Sequence, residues 1–278
     1  MLDLIISTVT QGFIYAMLSF GIYITYKILD FPDLTVDGSF PLGAAITAVL
    51  LVRGVNPYLT LLAAVAVGAL AGLATGFINV RLGVRDLLAG IITMTALFSI
   101  NLQIAGSNLS VERSVDTIFT AEPTLALFGS MSLLLRKLVV ALIIMIICKL
   151  LLDVYFKTKS GYLLRAVGDN SVLVTSLAKD TGRVKIIGLV IANALVSLSG
   201  AVVCHEQRSF SGTMGTGQMV FGLATVIIGS VIYKACIQIA ISMGLPANLL
   251  KLVTAVLFLA ILVFGNFQKG PAKKNVRA

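Results

Sequence analysis

Apolar runs of about 20 residues, the length that crosses a bilayer as a helix, alternate along this chain with short polar breaks. Leu4 to Tyr26 is the first and ends at Lys27; Tyr58 to Ile78, Leu87 to Ala105, Leu133 to Leu152, Ile186 to Cys204 and Leu249 to Phe267 share its character. Phe40 to Val52 is too short alone. Joined to Asp30 to Ser39 it reaches across as a broken helix, with Pro32, Gly38 and Pro41 marking the break. Met219 to Met243 reads as two short crossings that turn near Ser230 to Lys234, because a single helix would leave the basic tail outside. The pattern predicts an all-α polytopic transmembrane bundle, one domain over residues 1–278, with about nine crossings and at least one broken helix. Gly68, Gly72 and Gly76 recur every fourth residue, the spacing that lets helix backbones approach closely. Residues 106–132 are mixed in character and read as an outside loop.

The longest polar island, residues 153–185, lies between two of these runs. It carries Lys157, Lys159, Arg165, Lys179, Arg183 and Lys185 against Asp153, Asp169 and Asp180, which places it on the cytoplasmic side. Its apolar residues Leu163, Leu164, Val167, Val172, Val174 and Leu177 predict one or two short amphipathic helices broken at Gly168-Asp169-Asn170. Such a face needs a groove, so the island reads as a docking surface. With the N-terminus outside and nine crossings, only Arg53, Arg113, Arg136, Lys137, Arg208 and Lys251 of the 21 Lys and Arg fall outside, the bias expected of a membrane protein.

Composition strengthens this picture. Hydrophobic residues make up 58% of the chain and charged residues 12%, with a mean hydropathy of +1.02, so a water-soluble surface cannot be covered. The excess of Lys and Arg sits at the ends of apolar runs, where it sets orientation, and nucleic acid is not an expected partner. The N-terminus lacks the basic region and small-residue cleavage site of a secretory signal, so its first run is expected to stay as a helix, with no soluble domain appended at either end. Three cysteines, Cys148, Cys204 and Cys236, have no ligand-like spacing, so neither a disulfide framework nor a zinc site is expected.

No catalytic constellation is visible, and no cofactor or metal is expected. The single histidine, His205, beside Glu206 in a glycine-rich external or re-entrant loop (205–218), reads as a solvated loop residue. No GxxxxGK[ST] phosphate loop occurs, so a transporter built on this chain needs a separate ATPase. Asp33 and Asp37, four apart with Asp30 nearby, suggest a cation site or a proton relay, but Pro32 and Gly38 favour a turn that exposes them at the cytoplasmic mouth. Asp37, Thr93, Thr95, Asn101, Gln103, Asn193 and Ser197 are the candidate lining of a translocation path. Hydrogen bonding between helices accounts equally well for such residues.

The stretch Gln11-Gly-Phe-Ile-Tyr15-Ala-Met-Leu-Ser-Phe-Gly21, followed by FPDLTVDGSFPLGAA, resembles permease subunits of bacterial ABC importers in the branched-chain amino acid and ribose group. Leu164-Arg165-Ala166-Val-Gly168-Asp-Asn170 is similar to their cytoplasmic coupling segment. Leu198-Ser-Gly200-Ala, Gly215-Thr-Gly217 and the block Gly222 to Gly229 are similar to their later core, so matching blocks cover most of the chain in order. FPDLTVDGSF and GLATVIIGS are closest to the tryptophan and tyrosine type of uptake permease. The resemblance implies a subunit in the bacterial cytoplasmic membrane, surrounded by lipid and paired as a homodimer, with cytoplasmic ATPase subunits and an extracytoplasmic solute-binding protein. It further implies import of a small organic solute, with an amino acid expected. By the same resemblance Gly161, Leu164, Arg165, Ala166, Val167, Gly168, Asp169 and Asn170 couple to the ATPase. One departure stands out: after Gly229-Ser such permeases usually carry a glycine-containing connection, whereas Val231-Ile-Tyr-Lys-Ala-Cys follows here at once. The alternative, an ion-coupled secondary transporter, predicts paired broken helices in two related halves, and the sequence has one broken helix with carboxylates.

Overall fold

The computed structural model describes residues 2–170, 174–175 and 180–219. The predicted crossings within Met219 to Met243 and Leu249 to Phe267, the basic tail, and the island residues Val172, Leu177 and Lys179 lie outside the described residues. In chain order the elements are α1 (Leu2–Ile22), a π-helix (Tyr23–Ile28), α2 (Val36–Val52), α3 (Pro57–Val80), α4 (Asp86–Ala105), β1 (Asn108–Ser110), α5 (Glu122–Phe128), α6 (Leu133–Phe156), α7 (Lys159–Asp169), α8 (Thr181–Gln207) and β2 (Ser209–Ser211). Among the described residues, five helices have the length and apolar character to cross a membrane: α1 with its π continuation, α3, α4, α6 and α8. The shorter α2 is apolar throughout its later turns.

At the centre stands α8, whose most apolar window is 67% buried against 22% for that of α6. Small residues let its neighbours close on it. Cβ atoms at Gly43 of α2 and Gly68 of α3 would both run into Ser197; at Gly72 a Cβ would meet the Leu189 carbonyl, and at Gly76 it would press on Ile186. The four-residue glycine period of α3 is therefore the face that packs on α8. From the α8 side, Gly200 lies against the Phe40 carbonyl of α2. The main apolar core fills the space between α1, α6 and α8, with Ile14, Met17, Leu18, Met145, Cys148, Val196 and Val203 as members.

The break before α2 falls at Leu29–Thr35, earlier than expected. Pro32 lies in it, but Gly38 and Pro41 are inside α2. Its cause is local: the chain leaves the π-helix through Asp30, held at φ 52°, and Phe31 precedes a proline, where the helical region is disfavoured. Asp33 then closes a turn by accepting the Thr35 N–H at 2.9 Å, so it stands ahead of α2 and shares no helix face with Asp37. Two loops also differ from expectation. Residues 106–132 contain β1 and α5, and β1 pairs antiparallel with β2, Leu109 opposite Phe210. The helix expected to stop at Cys204 runs on to Gln207 and ends at Arg208, which is left-handed at φ 53°.

Candidate functional site

Halfway along the bundle a polar seam runs through apolar surroundings. Its centre is Asn193 of α8, whose Nδ2 donates to Asp33 Oδ2 at 2.8 Å and to the Leu189 carbonyl, while Oδ1 accepts from Ser39 Oγ at 2.7 Å. Thr35 and Thr75 join hydroxyls at 2.7 Å, tying the break to α3. On the α4 side Asn101 Nδ2 donates to the Gly38 carbonyl at 3.1 Å, while its Oδ1 is buried without a partner. Asp33 is 1% exposed and Asp37 half-buried. The expectation that they lie open at a cytoplasmic mouth is overturned for Asp33, because the turn that Pro32 starts folds inward onto Asn193. Both carboxylates spend their oxygens on N–H donors of the protein, Thr35 and Asn193 for Asp33 and Gly217 and Met219 for Asp37.

The seven candidate path residues divide. Thr93, Asn101, Asn193 and Ser197 are buried and spend hydrogen bonds within the bundle; Ser197 Oγ donates to the Ala64 carbonyl at 2.7 Å and Thr93 Oγ1 to the Ala89 carbonyl at 3.0 Å. Asp37 meets the segment that follows β2. Thr95 and Gln103 are on the exposed side of α4, and the Thr95 hydroxyl folds back on the Ile91 carbonyl. Ser39, Thr35 and Thr75 are not among the candidate path residues; Thr35 and Ser39 lie in the FPDLTVDGSF stretch, and Thr75 lies one residue before Gly76 on the close-packed face of α3.

His205 is no solvated loop residue. It is 1% exposed within α8, and its Nε2 bonds Thr60 Oγ1 at 2.9 Å. Next to it Glu206 pairs with Lys137 of α6 at 3.2 Å. The sequence put the end of the helix three residues too early, which moved both side chains into a loop.

At the opposite end, α7 begins at Thr158, whose side chain accepts the Gly161 N–H. Leu164 is 0% exposed and Val167 is buried. Both pack with Ile24, Ile28, Leu29, Phe31, Phe156 and Leu189 of this same chain. The apolar face expected to fill a partner's groove is therefore used at home, since a helix on the bundle's floor buries its greasy side against the nearest apolar surface. Gly161 lies against the Tyr155 carbonyl and Gly168 against the Ile28 carbonyl. Tyr162 (61% exposed), Arg165, Asp169 and Asn170 point outward, and the Arg165 guanidinium lies 4.9 Å from the Phe156 ring centroid.

Comparison with known proteins places the chain among transport permeases. The family model described as branched-chain amino acid transport system / permease component matches residues 4–265. A tyrosine transport system permease protein of Clostridioides difficile (strain R20291) is 38% identical, over 98% of this chain and 95% of that protein. A galactofuranose transporter permease protein of Escherichia coli (strain K12) is 25% identical over 83% of this chain and 70% of its own length. A probable branched-chain amino acid transport permease protein of Methanocaldococcus jannaschii is 26% identical over 71% and 64%. No solved structure matches. The chain belongs to the family of branched-chain amino acid transport system permease components. It is an ABC-type permease, a multi-pass transport subunit and not an enzyme, and the ATPase activity sits on a separate subunit.

Proposed function

We propose that this chain is the transmembrane subunit of an ATP-driven importer of a small organic solute, with an amino acid as cargo. It works as a homodimer of nine-crossing subunits in the bacterial cytoplasmic membrane, with the passage between the copies, ATPase subunits on the α7 side and a solute-binding protein on the other. Amino acid cargo is favoured by the tyrosine permease relative, which aligns over nearly the whole chain. The observation that carries the reading is α7: a short amphipathic helix at the basic end of the bundle, fastened by Leu164 and Val167 to the π-helix and α8, with a charged face turned outward. A helix so placed transmits a push from below into the break before α2. Coupling then belongs to Tyr162, Arg165, Asp169 and Asn170 at the surface, with Gly161, Leu164, Ala166, Val167 and Gly168 seating the helix. Uptake in cells should stop when ATP is depleted while the proton gradient is kept. Uptake that persists would favour an ion-coupled secondary transporter instead.

A further inference from the structure

One stretch of chain, Tyr23 to Asp37, touches both α7 and a segment that enters from the opposite end of the bundle. At the α7 end, Gly168 lies against the Ile28 carbonyl, and Leu29 and Leu164 meet over Gly188. Midway, Asp33 is held by Asn193. At the far end the Asp37 carboxylate accepts the Gly217 N–H on Oδ2 at 2.9 Å and the Met219 N–H on Oδ1 at 2.8 Å.

The segment so held, Ser209 to Met219, starts at the end of the bundle remote from α7, where Phe210 packs with Leu51, Ala105 and Cys204. By Met219 it has come down the length of α2 to its first turn. That level is the middle of the bundle, because the neighbouring Gly38 sits against Met94 and Leu97, halfway along α4. Residues 212–217 form turns, with Gly217 at φ 84°. Gly215 is pressed on the Asp37 carbonyl and the Pro41 ring, where a Cβ would not fit. Pro41 lacks the N–H that would occupy the Asp37 carbonyl in a regular helix, which leaves that oxygen facing the segment. Irregular backbone persists at membrane depth only where its polar groups find partners in the protein, and for Gly217 and Met219 the partner is one carboxylate.

We infer that Asp37 is a positioning residue for transport: it latches Ser209 to Met219 onto α2, so that displacement of α7 and the π-helix is passed to a segment open to the opposite side. The drive rests on the ATP-powered reading above; the latch stands on the geometry alone. The test starts from a background in which the three native cysteines are replaced by alanine and Met214→Cys, packed against the core, reports on the segment. In intact cells the rate of labelling by a membrane-impermeant maleimide should rise roughly tenfold in Asp37→Ala, the scale set by losing hydrogen bonds to a charged group, and less in Asp37→Asn, which keeps one acceptor oxygen. In proteoliposomes with the ATPase and the solute-binding protein, Asp37→Ala should hydrolyse ATP at a rate near that of the parent and move several-fold less solute per ATP. Asp37→Asn, with the melting temperature of the parent, guards against a folding defect. Unchanged labelling overturns the latch. Raised labelling with the parent's solute-to-ATP ratio overturns its role in transport. If uptake by the parent does not need ATP, the proposed function falls, and the labelling rates still decide the latch.

Discussion

Asn193 joins three elements through one amide, and its environment sets what its loss would do. In Asn193→Leu the Asp33 carboxylate keeps only its hydrogen bonds from Thr35, and Ser39 loses its acceptor, both in buried surroundings. A single hydrogen bond between membrane helices is worth little, but an under-solvated buried carboxylate costs about 2–4 kcal/mol. We expect purified Asn193→Leu to melt well below the parent in detergent. Asp33→Asn combined with Asn193→Leu should recover part of that loss, because the charge is gone. The sequence singled out Asn193 and Ser197 as polar residues within a span. Whether they lined a passage or bonded neighbouring helices was not legible, since both tasks select the same residue types and only the partners across 154 and 160 positions tell them apart.

At the level of elements, α7 and the α3–α8 pair make opposite predictions for surface and interior. Leu164→Asp with Val167→Asp buries two carboxylates among Ile28, Phe156 and Leu189. Each lost side chain forfeits about 1.5–3 kcal/mol of burial, so this variant should be poorly folded and scarce in membranes by immunoblot. Tyr162→Ala with Arg165→Glu alters exposed positions only; it should reach normal abundance yet lose the ATPase in a detergent pull-down. Retention of the ATPase would remove the coupling role from this face. Gly72→Leu, with its Cβ driven at the Leu189 carbonyl, should force α3 off α8 and lower the yield of monodisperse protein in size-exclusion chromatography. The amphipathic period of α7 and the glycine period of α3 were both legible as repeats. What each face would meet was not: a moment says that a face is apolar, and the apolar surface beside it can belong to this chain or to a partner.

Among the described residues, the ion pairs sort to two ends of the bundle. Asp86 binds Asn79 and Lys185 at the α7 end, while Lys137 pairs with Glu206 and Arg208 donates to the Glu112 and Val115 carbonyls at the other. Lys157→Cys should be protected from an impermeant thiol reagent in intact cells, and Arg113→Cys should label. The reverse pattern would invert the bundle.

Length of the apolar runs, the basic island and the small-residue period determined by themselves that this is a helical membrane protein with a short amphipathic helix, α7, between two of its spans. They suffice because the bilayer forces backbone hydrogen bonds inside each span, so apolar length alone implies a crossing helix. Tertiary structure alone decided the seam. Asp33 reads as a loop carboxylate until α8 supplies Asn193, and His205 reads as solvated until its helix runs one turn further to Thr60. Asp37, likewise, acquires its partners only from a segment 180 residues away that turns back into the bundle. The physical reason is that a side chain's burial and hydrogen bonds are set by what packs against it across the fold, while periodicity reports only the order of polar and apolar residues along one element.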